Sequence, residues 1–299
     1  MSWIGGKKAL RDEILLRFPV EYERYIEVFG GGGWVLFRKP PDDFEVYNDF
    51  NPNLTNLFRC VREHPKKLTE ALRYTLNSRL DFKHARQMLK SETKLPDIKR
   101  AAYFYQLIRQ SYASGLDSYG GVPRSMWSKF PLIDAAAGRL QKVVIENRDF
   151  EPLIKQYDRP KALFYCDPPY YATEDYYEDV EFTKDDHQRL ADALLNIQGK
   201  FLLSYNDCPE IRELYQSAAS GNQADIYIAY FPRSNDPNQN NWGHTRMNLM
   251  GGWNVDATDV FPAIALNSFA DRKPGRANIR CHLGRNAPVV LHRHLRRSR

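Results

Sequence analysis

The hydrophobic pattern of the chain switches between two periods. Short apolar runs bounded by turn residues occur at 25–29, 44–47, 143–147, 162–166, 201–205 and 226–231, and each predicts a β-strand. Between them, apolar residues return every three or four positions. Residues 12–18 predict a first helix, and 52–62 a second with Leu54, Leu57, Phe58 and Val61 at helical spacing. In 100–109, Ala101, Phe104, Leu107 and Ile108 line one side while Arg100 and Arg109 do not. Thr183 and Asp186 form a capping box ahead of Leu190, Ala191, Leu194 and Leu195; Gly199 stops that helix, and Pro209 opens another. Strands alternating with helices predict an α/β fold with a mostly parallel sheet covered on both faces.

Two regions depart from this alternation. Residues 65–139 are helical in period and carry a polar, glycine-rich stretch at 111–121, which predicts an inserted helical lobe bearing an exposed loop. That lobe divides a domain made of residues 1–64 and 140–232. From 233 to 299 the period is lost, and after Arg272 there are arginines but no acidic residue, as expected of a poorly ordered basic tail. His292 and His294 have no carboxylate or cysteine nearby, so no metal is predicted.

Composition narrows the class. An apolar fraction of 42% over 299 residues supports a large core, and no run reaches the length of a membrane span. Four scattered cysteines without a CxxC pair suit free thiols in a reducing cytoplasm. The net charge of +6 admits a polyanionic partner without requiring one.

The first strand runs into glycines 30–33, which let the backbone approach a ligand and reach positive φ; a helix over 34–37 is expected to follow. The second strand ends at Asp49, at the spacing where a carboxylate accepts a ribose diol. Strand, glycine turn and acid point to a nucleoside cofactor. The turn has neither the Lys-Ser/Thr of a triphosphate loop nor a clean dinucleotide fingerprint, so the cofactor's identity stays open here.

Asp167-Pro168-Pro169-Tyr170 follows a hydrophobic strand directly. An exocyclic aryl amine is a poor nucleophile because its lone pair is delocalised into the ring. A carboxylate on one N–H and the Pro168 carbonyl on the other would draw the nitrogen toward tetrahedral geometry, an interaction that strengthens toward the transition state. The prolines stiffen the turn, and Tyr170 offers a face on which an extruded base can stack.

These segments together resemble the DNA adenine-N6 methyltransferases of the Dam type, over about residues 1–232. Trp3-Ile4-Gly5-Gly6-Lys7 resembles the family's amino-terminal cofactor motif and the Glu27 to Gly33 stretch its Phe-x-Gly-x-Gly turn. Tyr47 to Asn51 resembles its ribose-binding segment, and Asp167 to Tyr170 its catalytic tetrad. The resemblance implies a Rossmann-like methyltransferase domain and S-adenosylmethionine as cofactor, bound by Trp3, Lys7, Phe29, Gly31, Gly33 and Asp49, with Asp149 and Phe150 beside its adenine. It implies catalysis by Asp167, Pro168, Pro169 and Tyr170. The inserted lobe takes the target-recognition position, with Arg109, Ser111, Tyr112, Ser118, Tyr119, Arg124 and Lys129 as DNA-facing candidates. Double-stranded DNA is the implied partner, read by a cytoplasmic monomer at GATC by analogy, and a cognate restriction endonuclease is compatible with it. At 240–246 the chain departs from the family's final strand, which implies that this strand is lost or replaced. Amino methylation of cytosine N4 or protein glutamine, and an inactive DNA-binding relic, are the alternatives.

Overall fold

The structure, a computed structural model, describes residues 7–8, 10–91, 94–172, 174, 182–206, 208–220, 225–232 and 244–251; for Ala113 and beyond residue 215 it describes the backbone only. Trp3, residues 240–243 and the tail from 252, with His292 and His294, lie outside the described residues.

The strands are β1 (Arg24–Glu27), β2 (Phe44–Asn48), β3 (Val143–Glu146), β4 (Ala162–Cys166), β5 (Lys200–Asn206), β6 (Asp225–Pro232) and β7 (His244–Gly251). They form one sheet in the order β3-β2-β1-β4-β5-β7-β6. The first five are parallel, and β7 runs antiparallel between β5 and β6. The fold is thus α/β with a mostly parallel sheet, as the alternating pattern predicts.

Both faces of the sheet are buried at β1, β2, β4 and β5, and side chains alternate between them along these strands. Tyr25, Tyr47, Leu163, Tyr165 and Leu202 face one side. They pack against α2 (Pro52–Glu63), α5 (Asp97–Gln110) and α6 (Phe130–Arg139) through Leu54, Leu57, Phe104, Ile108, Ile133 and Ala137. Ile26, Val46, Phe164, Cys166, Phe201 and Leu203 face the other. There they meet α7 (Phe150–Tyr157), α8 (Lys184–Leu195) and α9 (Pro209–Ser220) through Leu153, Leu190, Leu194, Ile211 and Tyr215.

The remaining helices are α1 (Arg11–Leu15), α3 (Pro65–Leu72) and α4 (Arg79–Lys90). Packing does not break at residue 65 or 139, because α5 and α6 share the core of the first sheet face. Phe82 and Ala85 of α4 form a small cluster with Leu107 of α5, while Leu89 of α4 packs against the larger core.

Local chemistry sets several boundaries. Asn51 caps α2, its side chain accepting from the Asn53 and Leu54 N–H groups with Pro52 at the first turn. In the capping box at α8, the Asp186 carboxylate accepts from Thr183 N at 2.7 Å.

Two expectations are corrected. The helix expected over 34–37 is an irregular turn, in which Phe37 N bonds Gly33 O but Leu36 N donates to the Glu27 carboxylate instead of a backbone carbonyl. Pro40 and Pro41 end it. The final strand, expected to be lost or replaced, is present as β7 within the stretch expected to form a poorly ordered tail, while the tail from residue 252 lies outside the described residues.

Phe164 is fully buried and Leu132 on α6 is 61% exposed. Phe164→Ala is expected to lower unfolding free energy by about 3–5 kcal/mol, and Leu132→Ala by under about 0.5 kcal/mol, in urea titrations followed by circular dichroism.

Candidate active site

The strand order reverses between β1 and β4, since the chain builds outward through β2 and β3 before returning to the other side of β1. Ligands of open parallel sheets sit beyond the strand ends at such a point. Glu27 lies opposite Tyr165, and Val28 N bonds Tyr165 O at 2.9 Å. The glycine turn after β1 and the Asp-Pro-Pro-Tyr turn after β4 therefore leave the sheet side by side.

The glycine turn is tied to the end of β2. Gly30 N bonds Asn48 O at 2.7 Å, and the Tyr47 hydroxyl donates to Gly31 O at 2.7 Å. A Cβ on Gly30 would stand 2.2 Å from the Tyr47 ring, and Gly31 and Gly33 have φ of 50° and 65°. Here glycine is required by contact and by backbone alike. Asp49 braces the same turn: one carboxylate oxygen accepts from Gly31 N at 2.8 Å and the other from Asn51 N at 2.9 Å. Burial raises its pKa to about 6 against the opposing effect of those two donors. Asn48 reaches across to Val28 O and Arg148 O, joining the ends of β1, β2 and β3.

The second turn is held from β5, by neighbouring residues in register. Ser204 Oγ donates to Asp167 at 2.6 Å, the Tyr205 ring lies 6.0 Å from that of Tyr170, and Asn206 bonds both N and O of Tyr171 at 3.1 Å. Pro168 and Pro169 are buried. Beneath the turn, His187 is buried and links the Glu174 carboxylate, at 2.8 Å, to the Tyr205 hydroxyl. Glu174 also accepts from Ala172 N, which fixes the start of the following segment.

Lys7 arrives from the amino terminus. Its ammonium lies 2.5 Å from Asp167 Oδ1 and 4.9 Å from the centre of the Tyr170 ring. Burial alone would lower its pKa, but Asp167 and Tyr170 outweigh burial and hold it above the ordinary lysine value. Lys7, expected among the cofactor-binding residues, is thus brought to Asp167.

An aromatic wall lies alongside. The rings of Phe29, Phe150 and Phe182 are 5.7–6.0 Å apart. Asp149 caps α7 through Glu151 N and pairs with Arg189 at 3.0 Å, whose guanidinium lies 4.8 Å from the Phe150 ring. Phe29 and Phe150 are thereby brought together, with Asp149 at the cap of the helix that carries Phe150. Phe182, Ser204, Asn206 and His187 were not anticipated; Ser204 and Asn206 carried a signal in their place at the end of β5, the strand next to β4, whereas Phe182 and His187 reach the site only through the packing of α8.

The expected DNA-facing residues divide. Residues 111–121 form a small hairpin, with Ser111 bridged to Tyr119 and Tyr112 N bonded to Ser118 O at 2.8 Å. Tyr112 and Ser118 are exposed, whereas Arg109, Arg124 and Lys129 are half-buried. Ser111 is 1% exposed, so its side chain points inside rather than at DNA. Tyr119 packs on Phe82 and bonds Asn77, pinning the hairpin to α4.

Residues 3–227 match the family model of the D12 class N6 adenine-specific DNA methyltransferases. The chain is 27% identical over 240 residues to a type II methyltransferase, M1.LlaDCHI, of Lactococcus lactis subsp. cremoris, covering 72% of this chain and 83% of that protein. It is 27% identical to the retron Ec67 DNA adenine methylase of Escherichia coli, covering 73% and 80% of the two chains. It is 28% identical to a DNA adenine methylase of Haemophilus influenzae, covering 73% and 82%.

Beneath the glycine turn, Glu27 is buried, with the Tyr25 hydroxyl and Leu36 N both donating to Oε2. Burial raises its pKa to about 8, beyond what those donors restore. A folded pKa above the unfolded one means that the native state binds the extra proton, so stability falls as pH rises from about 4.5 to about 8. Glu27→Gln is expected to flatten this fall in urea titrations at pH 5 and pH 8; an unchanged slope would refute a protonated Glu27.

Proposed function

The chain belongs to the D12 class of N6 adenine-specific DNA methyltransferases, and from that premise we propose how its own residues divide the work of methyl transfer. The reaction moves a methyl group from S-adenosylmethionine to the exocyclic N6 of adenine in DNA.

The strand ends suit that cofactor. Asp49 is a half-buried carboxylate beside positive-φ glycines, placed to accept from a ribose diol, and Phe29, Phe150 and Phe182 offer apolar faces for a flat purine. Gly31 and Gly33 keep side chains out of the path, Asp149 fixes the start of α7, and Trp3 and Lys7 complete the set from the amino terminus. When bound, S-adenosylmethionine supplies an electrophilic methyl group on a sulfonium.

The chain's part in the chemistry is acceptor placement. Asp167 takes one hydrogen of the adenine amine and the Pro168 carbonyl the other, which turns the nitrogen lone pair out of the ring plane. Ser204 and Lys7 hold the carboxylate still, and Pro168 and Pro169 hold the carbonyl, so neither acceptor must reorganise when the base arrives. Tyr170 stacks on the extruded base and offsets part of the cost of leaving the duplex. After transfer the surplus proton leaves to water, so no separate general base is assigned. The observation that carries this reading is the adjacency of the two turns across β1 and β4.

On the DNA side, Arg109, Tyr112, Ser118, Arg124 and Lys129 face a double-stranded substrate, with Tyr119 and Ser111 shaping the hairpin that presents them. GATC is the first site to test, in the cytoplasm and by a monomer. A type II relative makes a companion restriction endonuclease worth seeking. Among the described residues no helix is long and apolar enough to cross a membrane.

Asp167→Ala is expected to cut methyl transfer to duplex DNA by at least about a hundredfold while S-adenosylmethionine still binds in calorimetry. Full activity in that variant would overturn the assignment. A nucleoside digest of modified DNA should yield N6-methyladenine; N4-methylcytosine would point to the other acceptor. Long-read sequencing of host DNA expressing the chain reads the site.

A further inference from the structure

Residues 65–139 carry 14 Lys and Arg against 6 Asp and Glu, a formal +8. Residues 1–64 and 140–232 together carry 18 against 27, a formal −9. The positive charge is thus gathered on the helical part. At the turn between α3 and α4 it is held in an unusual way.

Arg73, just past α3, and Arg79, at the start of α4, are both exposed. Each guanidinium lies on an aromatic ring rather than a carboxylate: Arg73 is 5.0 Å from the centre of Trp127, and Arg79 is 5.0 Å from that of Tyr119. Arg86 on the same helix, by contrast, pairs with Asp117 at 2.6 Å. Both rings are themselves fixed. Trp127 Nε1 donates to Arg73 O at 2.8 Å, and the Tyr119 hydroxyl bonds the Asn77 carbonyl at 2.9 Å. The turn between is braced by Gln110 bonding Leu76 O and Asn77 bonding Val122 O. Tyr74 is 82% and Leu80 77% exposed along it.

A guanidinium stacked on a ring has its position restricted while its N–H donors remain without a carboxylate. That state suits a phosphodiester: strong bidentate donors, little entropy left to lose, and apolar side chains between them to meet the sugars. Fixed cations of this kind position a duplex without reading it.

We propose that this turn is a second DNA contact, a phosphate clamp in which Arg73 and Arg79 grip the backbone of duplex outside the bases presented to the hairpin. The clamp rests on the chain's reading as a methyltransferase of duplex DNA. It is sequence-independent and sets how the substrate is held, not which base is modified.

The test is Arg73→Gln with Arg79→Gln, measured by duplex binding across about 50–200 mM salt. Two lost phosphate contacts lower the slope of log K against log salt by about 2, and weaken binding about 30-fold near 0.15 M, with or without the target site. Saturating-DNA turnover and S-adenosylmethionine affinity stay as in the wild type. Trp127→Leu, which removes one shelf and no charge, weakens binding several-fold with the slope kept. An unchanged slope and affinity in the double variant overturns the clamp, as does a loss of self-association with DNA binding intact, which marks a protein-facing ridge. Failure of the wild-type chain to methylate duplex DNA is a separate outcome and removes the underlying reading.

Discussion

The proposed site depends on one parallel pairing, β1 against β4. Backbone hydrogen bonds at that ladder decide that a glycine turn near residue 30 and an acidic turn near residue 167 emerge at the same sheet edge. Neither turn is a site alone. In the proposed reading the first supplies a half-buried carboxylate and open backbone for a nucleoside, and the second supplies two rigid acceptors for an amine. Because the strand order reverses at that point, no crossover helix fills the space beyond the two ends.

The structure also separates two ways of fixing a carboxylate. Asp49 and Glu27 are held by burial and backbone donors, and burial wins, raising both pKa values. Asp167 is held by an ammonium and a hydroxyl, with Lys7 and Ser204 meeting the same oxygen, Oδ1. A carboxylate with one oxygen saturated in this way presents the other in a defined direction. That is the arrangement an acceptor of an amine hydrogen needs, and it explains why a buried lysine belongs here.

What was legible in the sequence follows from what is local. The strand before Asp167 reads as a strand because all five residues of β4 are buried, and the chemistry of Asp-Pro-Pro-Tyr is contained in four neighbours. The glycine turn and Asp49 were legible for the same reason. What was missed is tertiary. The helix expected after the glycines fails because a buried glutamate takes the Leu36 N–H. Ser111 was a DNA-facing candidate through the lobe's resemblance to a target-recognition region, yet its side chain is buried where the hairpin opens. The Lys7–Asp167 pair joins opposite ends of the domain, and no periodicity signals it. β7 was passed over because its run of His, Thr, Arg, Met and Asn has no steady apolar period, although its backbone completes the sheet.

Charge distribution then constrains how a substrate approaches. A duplex is a dense polyanion, and the domain that holds the catalytic turn is itself acidic, so long-range electrostatics disfavour laying the helix across it. The helical part has the opposite sign and is anchored in the sheet's own core through α5 and α6, so it can carry the duplex without moving relative to the site. A nucleobase, unlike its phosphates, is neutral. Swinging one base out of a duplex held by the basic part carries an uncharged, stackable group toward the acidic part while the backbone stays behind. The opposed charges thus suit the division of labour proposed above, in which the helical part meets phosphates and the extruded base meets the turn after β4.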